Sequence, residues 1–132
     1  MLSIIESCVD VTELNLDSSH NYLESHYQNA LLHYLRESHD LKKHTIHKEV
    51  MINYRLSDGF IFGYGRADIM IETDEECHIL ELKSGVALSP KCFGKYFAQC
   101  RRYVAHHETT KKKSGYVVIF NSGCSAITKV LD

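Results

Sequence analysis

Gly65-Arg66-Ala67-Asp68-Ile69-Met70-Ile71-Glu72, then Thr73-Asp74-Glu75-Glu76, then Cys77-His78-Ile79-Leu80-Glu81-Leu82-Lys83-Ser84-Gly85: this stretch reads as two strands and a polar turn. In the first strand, Ala67, Ile69 and Ile71 alternate with Arg66, Asp68 and Met70, the period-two pattern of extended chain. A two-residue turn centred on Asp74-Glu75 sets Asp68 directly across from Glu81. Opposed side chains of an antiparallel pair share one face, with Cβ atoms about 4.5–5.5 Å apart. Lys83 lies two residues beyond Glu81 and therefore on the same face.

Two carboxylates forced together on buried strands are costly unless something neutralises them. Mg²⁺ or Mn²⁺ does so, binding one or two carboxylates together with substrate phosphates. A lysine beside the cation can hold and help deprotonate an attacking water, or stabilise charge that develops in the transition state. Glu81-Leu82-Lys83 is then a compact hydrolytic unit of ligand, intervening carbonyl and cation. The competing reading is a plain Glu–Lys ion pair along a strand. The in-register Asp68 and the apolar flanks Ile79, Leu80 and Leu82 weigh against it.

Working outward, the chain has one Pro, 7 Gly, no repeat and no low-complexity linker, so residues 1–132 are expected to form a single α/β domain. Residues 1–18 suggest a short leading helix or an extended arm. From Ser19 to Ser38, Leu23, Tyr27, Ala30, Leu31, Tyr34 and Leu35 recur at steps of three and four, as on an amphipathic helix. Thr45–Arg55 reads as a strand and Ser57-Asp58-Gly59 as the turn into the next, from Phe60 to Glu72. Ser89-Pro90 starts a helix running to about His107 that buries Phe93, Phe97, Cys100 and Val104. Tyr116–Phe120 is continuously apolar, as in a strand covered on both faces. Ala126–Leu131 adds a last strand or helix. The order is α-β-β-β-α-β, a central mixed sheet flanked by helices.

The formal net charge of −2 hides a division. Residues 1–82 carry a net of −9 and residues 83–132 a net of +7. An acidic centre facing a basic wall would suit a cation-dependent enzyme acting on a polyanion, although solvated faces can segregate in the same way. Lys111, Lys112 and Lys113 are placed in a loop, within reach of a phosphate. Five cysteines form no C-x-x-C pair, which speaks against a disulfide framework or a zinc knuckle and for a reducing compartment. No apolar run approaches a membrane span, and acidic residues stand near the N-terminus where a signal peptide carries basic ones. The expected location is intracellular, cytoplasmic or nuclear. Nine histidines show no metal-ligand spacing, with His20 and His78 kept as outside candidates for substrate contact. No phosphate loop, nucleophile elbow or dinucleotide fingerprint occurs.

Asp68, Glu81 and Lys83 on this element order resemble the PD-(D/E)XK nuclease superfamily, whose first acid and (D/E)xK pair they match. Ala67 stands where the superfamily's name has proline. Glu24-Ser25-His26-Tyr27 is similar to the ExxY part of the small GxxExxY subgroup, with Asn21 in place of its glycine. The resemblance covers about residues 20–120 and implies a restriction-endonuclease-like fold. It also implies that Glu24 joins the metal site, although Asn21-x-x-Glu24 equally fits a capping box. Tyr27 would be a core or orienting residue, or a substrate contact. Gln99-x-x-x-Tyr103, on one helix face, is similar to the QxxxY motif of RecB-type nucleases and would contact substrate. Lys91, Lys95 and Arg102 form a basic stripe on that helix, suited to phosphate contacts.

The resulting expectation is a Mg²⁺- or Mn²⁺-dependent deoxyribonuclease that leaves 5′-phosphate and 3′-hydroxyl ends. Asp68, Glu81, the Leu82 carbonyl and Glu24 would be its ligands, and Lys83 would activate or position the water. DNA is the expected partner, with specificity expected from a homodimer or a partner protein. The rival is an inactive nuclease-fold module that binds nucleic acid or protein.

Overall fold

The computed structural model describes residues 1–16, 24–84, 90–120 and 125–130, with Pro90 and Lys91 described by backbone alone. Helices α1 (Leu2–Asn15) and α2 (Glu24–Glu37) lead, followed after a single 3₁₀ turn by strands β1 (Thr45–Arg55), β2 (Ile61–Glu72) and β3 (Glu76–Ser84). Helix α3 (Pro90–His106) and strands β4 (Lys112–Phe120) and β5 (Ala126–Val130) complete the order. Residues 1–16 thus form a helix rather than an arm, because Ile5, Cys8, Val9 and Thr12 line one buried face. The expected Asn21 cap and the positions of His20 and Leu23 lie outside the described residues.

The five strands form one mixed sheet in sequence order. β1, β2 and β3 meander antiparallel, α3 carries the chain over to β4 parallel to β3, and β5 returns antiparallel. On one face Leu31, Leu32 and Leu35 of α2 pack on Leu80, Leu82, Tyr116, Val118 and Phe120, with α1 behind them. On the other, Cys100, Tyr103 and Val104 of α3 pack on Ile79, Cys77, Val117 and Ile119. Helices on both sides explain why Tyr116–Phe120 is apolar throughout and buried throughout.

Two turns fix the hairpins. Gly59 takes a φ of +89°, which glycine adopts without penalty, and Asp58 Oδ1 accepts the Phe60 N–H at 2.9 Å. Between β2 and β3 the loop is Asp74-Glu75, closed by the Thr73 N–H donating to the Glu76 carbonyl at 2.9 Å. The Thr73 hydroxyl also accepts the Glu76 N–H at 2.8 Å. The register follows: Glu72 pairs with Cys77, Met70 with Ile79, and Ile69 with Leu80.

One expectation needs correcting. Alternation along β2 does not run unbroken, because Ile69 and Ile71 pack toward α1 and α2 whereas Ala67 packs toward α3. β1 slips in step, with Ile46 on the first side and Val50, Ile52 and Tyr54 on the second. Lys48 pairs with Ile69 and Val50 with Ala67, while Glu49, between them, sits at φ +56°. A left-handed residue in one strand bends the pair and re-aims the side chain opposite, which here is Asp68.

Candidate metal centre and its cleft

The β2–β3 ladder ends at Ile69–Leu80, one residue short of Asp68 and Glu81. Beyond it the Asp68 side chain takes over a backbone role: Oδ2 accepts the Leu82 N–H at 2.7 Å. N–H and C=O of a strand residue point to the same side, so the Leu82 carbonyl also faces the gap between the strands. Glu81 and Lys83 share the α3 side with Cys77 and Ile79, and Lys83 Nζ stands 3.4 Å from Glu81 Oε1. From the opposite face, Glu24 opens α2. Its helix is tied to β2 one turn later, where Gln28 Nε2 donates to the Asp68 carbonyl at 3.0 Å.

These contacts bring together carboxylate oxygens of Glu24, Asp68 and Glu81 within 4.8 Å of one another. Glu81 is 3% exposed, and its Oε2 has no hydrogen-bond partner among the described residues. Burial pushes its carboxyl up to about 8, with the charge of Asp68 adding and Lys83 opposing. Asp68 is also raised by burial, against the pull of the Leu82 N–H and Lys83. Glu24 moves upward for the same first reason, with Lys83 opposing and Asp68 adding. Three carboxylates whose oxygens lie this close together could hold a divalent cation.

Next to the acids, α3 and the β1–β2 hairpin enclose a cleft of about 610 Å³ lined by Tyr54, Tyr64, Lys83, Lys95, Tyr96 and Arg102, among others. Gln99 and Tyr103 also line it, and Gln99 Nε2 donates to the Tyr103 hydroxyl at 2.8 Å. Burial, and then the Glu81 charge, hold Tyr103 up to about 12, so its hydroxyl keeps its proton. Gly65 is required here: a Cβ would run into the Tyr54 hydroxyl and come within 2.5 Å of the Tyr103 ring.

The chain matches the PD-(D/E)XK nuclease superfamily over residues 3–130. It belongs to that superfamily. No curated protein matches it. The crystal structure of SSO0001 is similar in fold, with a TM-score of 0.57 at 17% identity over 80% of this chain and 49% of that one. The chain therefore spans about half the length of that structure. Together with the mixed sheet and flanking helices, this likeness gives the nuclease-superfamily chain a restriction-endonuclease-like fold.

Of the residues singled out in the sequence, Glu24, Asp68, Glu81 and Lys83 converge, and Lys95, Gln99, Arg102 and Tyr103 line the adjoining cleft. The Tyr27 ring packs in the α1/α2 core, stacked on Phe120 at 4.6 Å. The Lys91 side chain lies outside the described residues. His78 is 3% exposed on the α1/α2 side, with Nδ1 2.7 Å from the Ser114 hydroxyl, far from a substrate-facing position. The lysine run is not a loop: Lys112 and Lys113 begin β4, Lys111 pairs with Glu72 at 2.9 Å, and Lys113 Nζ donates to the His107 carbonyl. Unforeseen were Gln28, which clamps α2 to β2, and Tyr54 and Tyr96 of the cleft. Among the described residues, no helix is long and apolar enough to cross a membrane.

Proposed function

We propose that this chain is a Mg²⁺- or Mn²⁺-dependent nuclease that hydrolyses DNA phosphodiester bonds. The observation that carries the reading is the convergence of Glu24, Asp68 and Glu81, where the buried Glu81 Oε2 has no hydrogen-bond partner among the described residues and Lys83 stands 3.4 Å from Oε1. Asp68, Glu81 and Glu24 would hold the cation, with the Leu82 carbonyl as a further donor facing the same gap. A bound divalent cation supplies charge stabilisation at the phosphoryl oxygens and a more acidic water.

The protein's own groups do the rest. The Leu82 N–H fixes the Asp68 carboxylate against β3, so one oxygen is held and the other is left to serve as a ligand. Gln28 keeps the start of α2, and with it Glu24, in place. Lys83 is anchored by Glu81 and positions or activates the water that attacks phosphorus. The Gln99–Tyr103 pair orients groups at the boundary between acids and cleft. In-line attack releases a 3′-hydroxyl and leaves a 5′-phosphate.

Single-stranded, duplex and branched DNA should be incubated with Mg²⁺, Mn²⁺ or EDTA and the products resolved by length. Wild type should cut in metal and not in EDTA, and Lys83→Ala should lose roughly 100-fold or more in rate, the scale of one lost general-base or charge-stabilising group. Identical behaviour of the two proteins under every condition would sink the assignment.

A further inference from the structure

We propose that the outer edge of β1 pairs antiparallel with the same edge of a second copy of this chain, across a twofold axis at Ile52, so that the two sheets join into one. This interface goes beyond the nuclease reading and does not rest on it.

β1 is an edge strand, with β2 on one side only. The Leu56 N–H donates to the Phe60 carbonyl within the hairpin, whereas the Arg55 N–H turns the other way, to His106 Nδ1 at 3.2 Å. N–H groups alternate sides along a strand, so those of Met51 and Asn53 point outward with that of Arg55, and their carbonyls with them. A groove of about 150 Å³ follows this side, lined by Met51, Ile52, Asn53 and Arg55 and closed by His106 and Glu108 at the end of α3. No β2 residue lines it. An open strand edge with a row of main-chain donors and acceptors is a template for another strand.

The edge is complementary to itself. In an antiparallel pairing centred on Ile52, Met51 meets Asn53 of the second copy and Asn53 meets its Met51, which makes four main-chain hydrogen bonds. Glu49 comes opposite Arg55 of the second copy, so each end of the ladder carries opposite charges. The same ends stop the ladder, because Glu49 leaves extended geometry at φ +56° and His106 already takes the Arg55 N–H. The side chains agree. Met51 is 63% exposed and Tyr64 70% exposed, both on the face away from α3. Tyr64 pairs with Asn53 and so flanks Met51 diagonally, and the twofold sets Met51 diagonal to Met51 of the second copy. One apolar strip then crosses the joined sheet from tyrosine to tyrosine. Matching charges and a strip that continues itself single out a second copy as the occupant.

The test is mass in solution, followed by sedimentation equilibrium in EDTA from about 1 to 200 μM, a range that covers a modest dimer. The mass of wild type should rise with concentration from that of one chain toward that of two. Met51→Lys sets like charges at the axis, and Asn53→Pro removes an outward N–H while sparing the β1–β2 ladder. Each should raise the dissociation constant by about 10-fold or more. Met51 is exposed, so Met51→Lys keeps the fold, and a thermal midpoint equal to that of dilute wild type verifies this. Glu49→Arg and Arg55→Glu should each dimerise poorly alone, with like charges at both ends of the ladder. Mixed, they should associate, since every end of the mixed dimer then carries opposite charges. A wild type that stays monomeric throughout, or a dimer that Met51→Lys leaves intact, overturns the proposal. So does a mixture of the two charge variants that associates no better than either alone.

Discussion

Glu81 concentrates the physical tension of the site in one carboxyl. Its pKa stands at about 8 against an ordinary 4.5, so it binds its proton more tightly in the folded chain than in the unfolded one. The stability it contributes is whole below about pH 4.5 and is lost as pH rises through 8. In EDTA, the thermal midpoint of wild type should therefore fall across that window relative to Glu81→Gln, whose side chain cannot titrate. Burial lowers the pKa of His78, which acts in the opposite sense, but this contribution is common to both proteins and cancels in the difference. Parallel midpoint curves for the two proteins between about pH 5 and 9 would show that Glu81 is not held in this environment. Asp68 shows a different solution to a similar burial. It gains a backbone donor, the Leu82 N–H, at the place where its own strand stops pairing.

The elements act mainly by fixing directions. A two-residue loop leaves the β2–β3 hairpin one register, and that register brings Glu81 opposite Asp68. The pairing was legible in the sequence because turn length and strand parity are local. The slip at Glu49 and Asp68 was not, since no glycine or proline marks it and the exposed Glu49 takes a positive φ. Close approach of β2 to α3 at Gly65 yields a prediction for this scale. Gly65→Ala should destabilise by about 1–3 kcal/mol in urea unfolding, as overpacking does, and should reduce cleavage by displacing Tyr103. Gly63→Ala is the control. Its Cβ would meet Tyr54 at an ordinary 3.5 Å, so its effect on cleavage should be small.

For the whole molecule, the uneven charge of the sequence becomes spatial. Glu24, Asp68 and Glu81 come from the acidic part of the chain, and Lys83, Lys95 and Arg102 from the basic part, and the fold sets the two side by side. An acid cluster joining α2, β2 and β3 means that a cation binding there links elements distant in sequence and favours the folded state. At about 100 times its dissociation constant, Mn²⁺ should add about 2.7 kcal/mol, on the order of 10 °C in thermal midpoint. Glu81→Gln should reduce or abolish that shift. An equal shift in the variant would place the bound metal elsewhere.

The sequence by itself determined the order of elements from α2 to β4, the hairpin register and the clustering of Asp68, Glu81 and Lys83, because alternation, a short turn and neighbouring positions are properties of local chain geometry. It also marked Gln99 and Tyr103 as one face of one helix. Only the tertiary structure decided that Glu24 meets the hairpin and that Tyr27 and His78 turn into the core. Those outcomes depend on how helices seat against the two sides of a bent sheet, where the distances are set by packing between residues far apart in the chain.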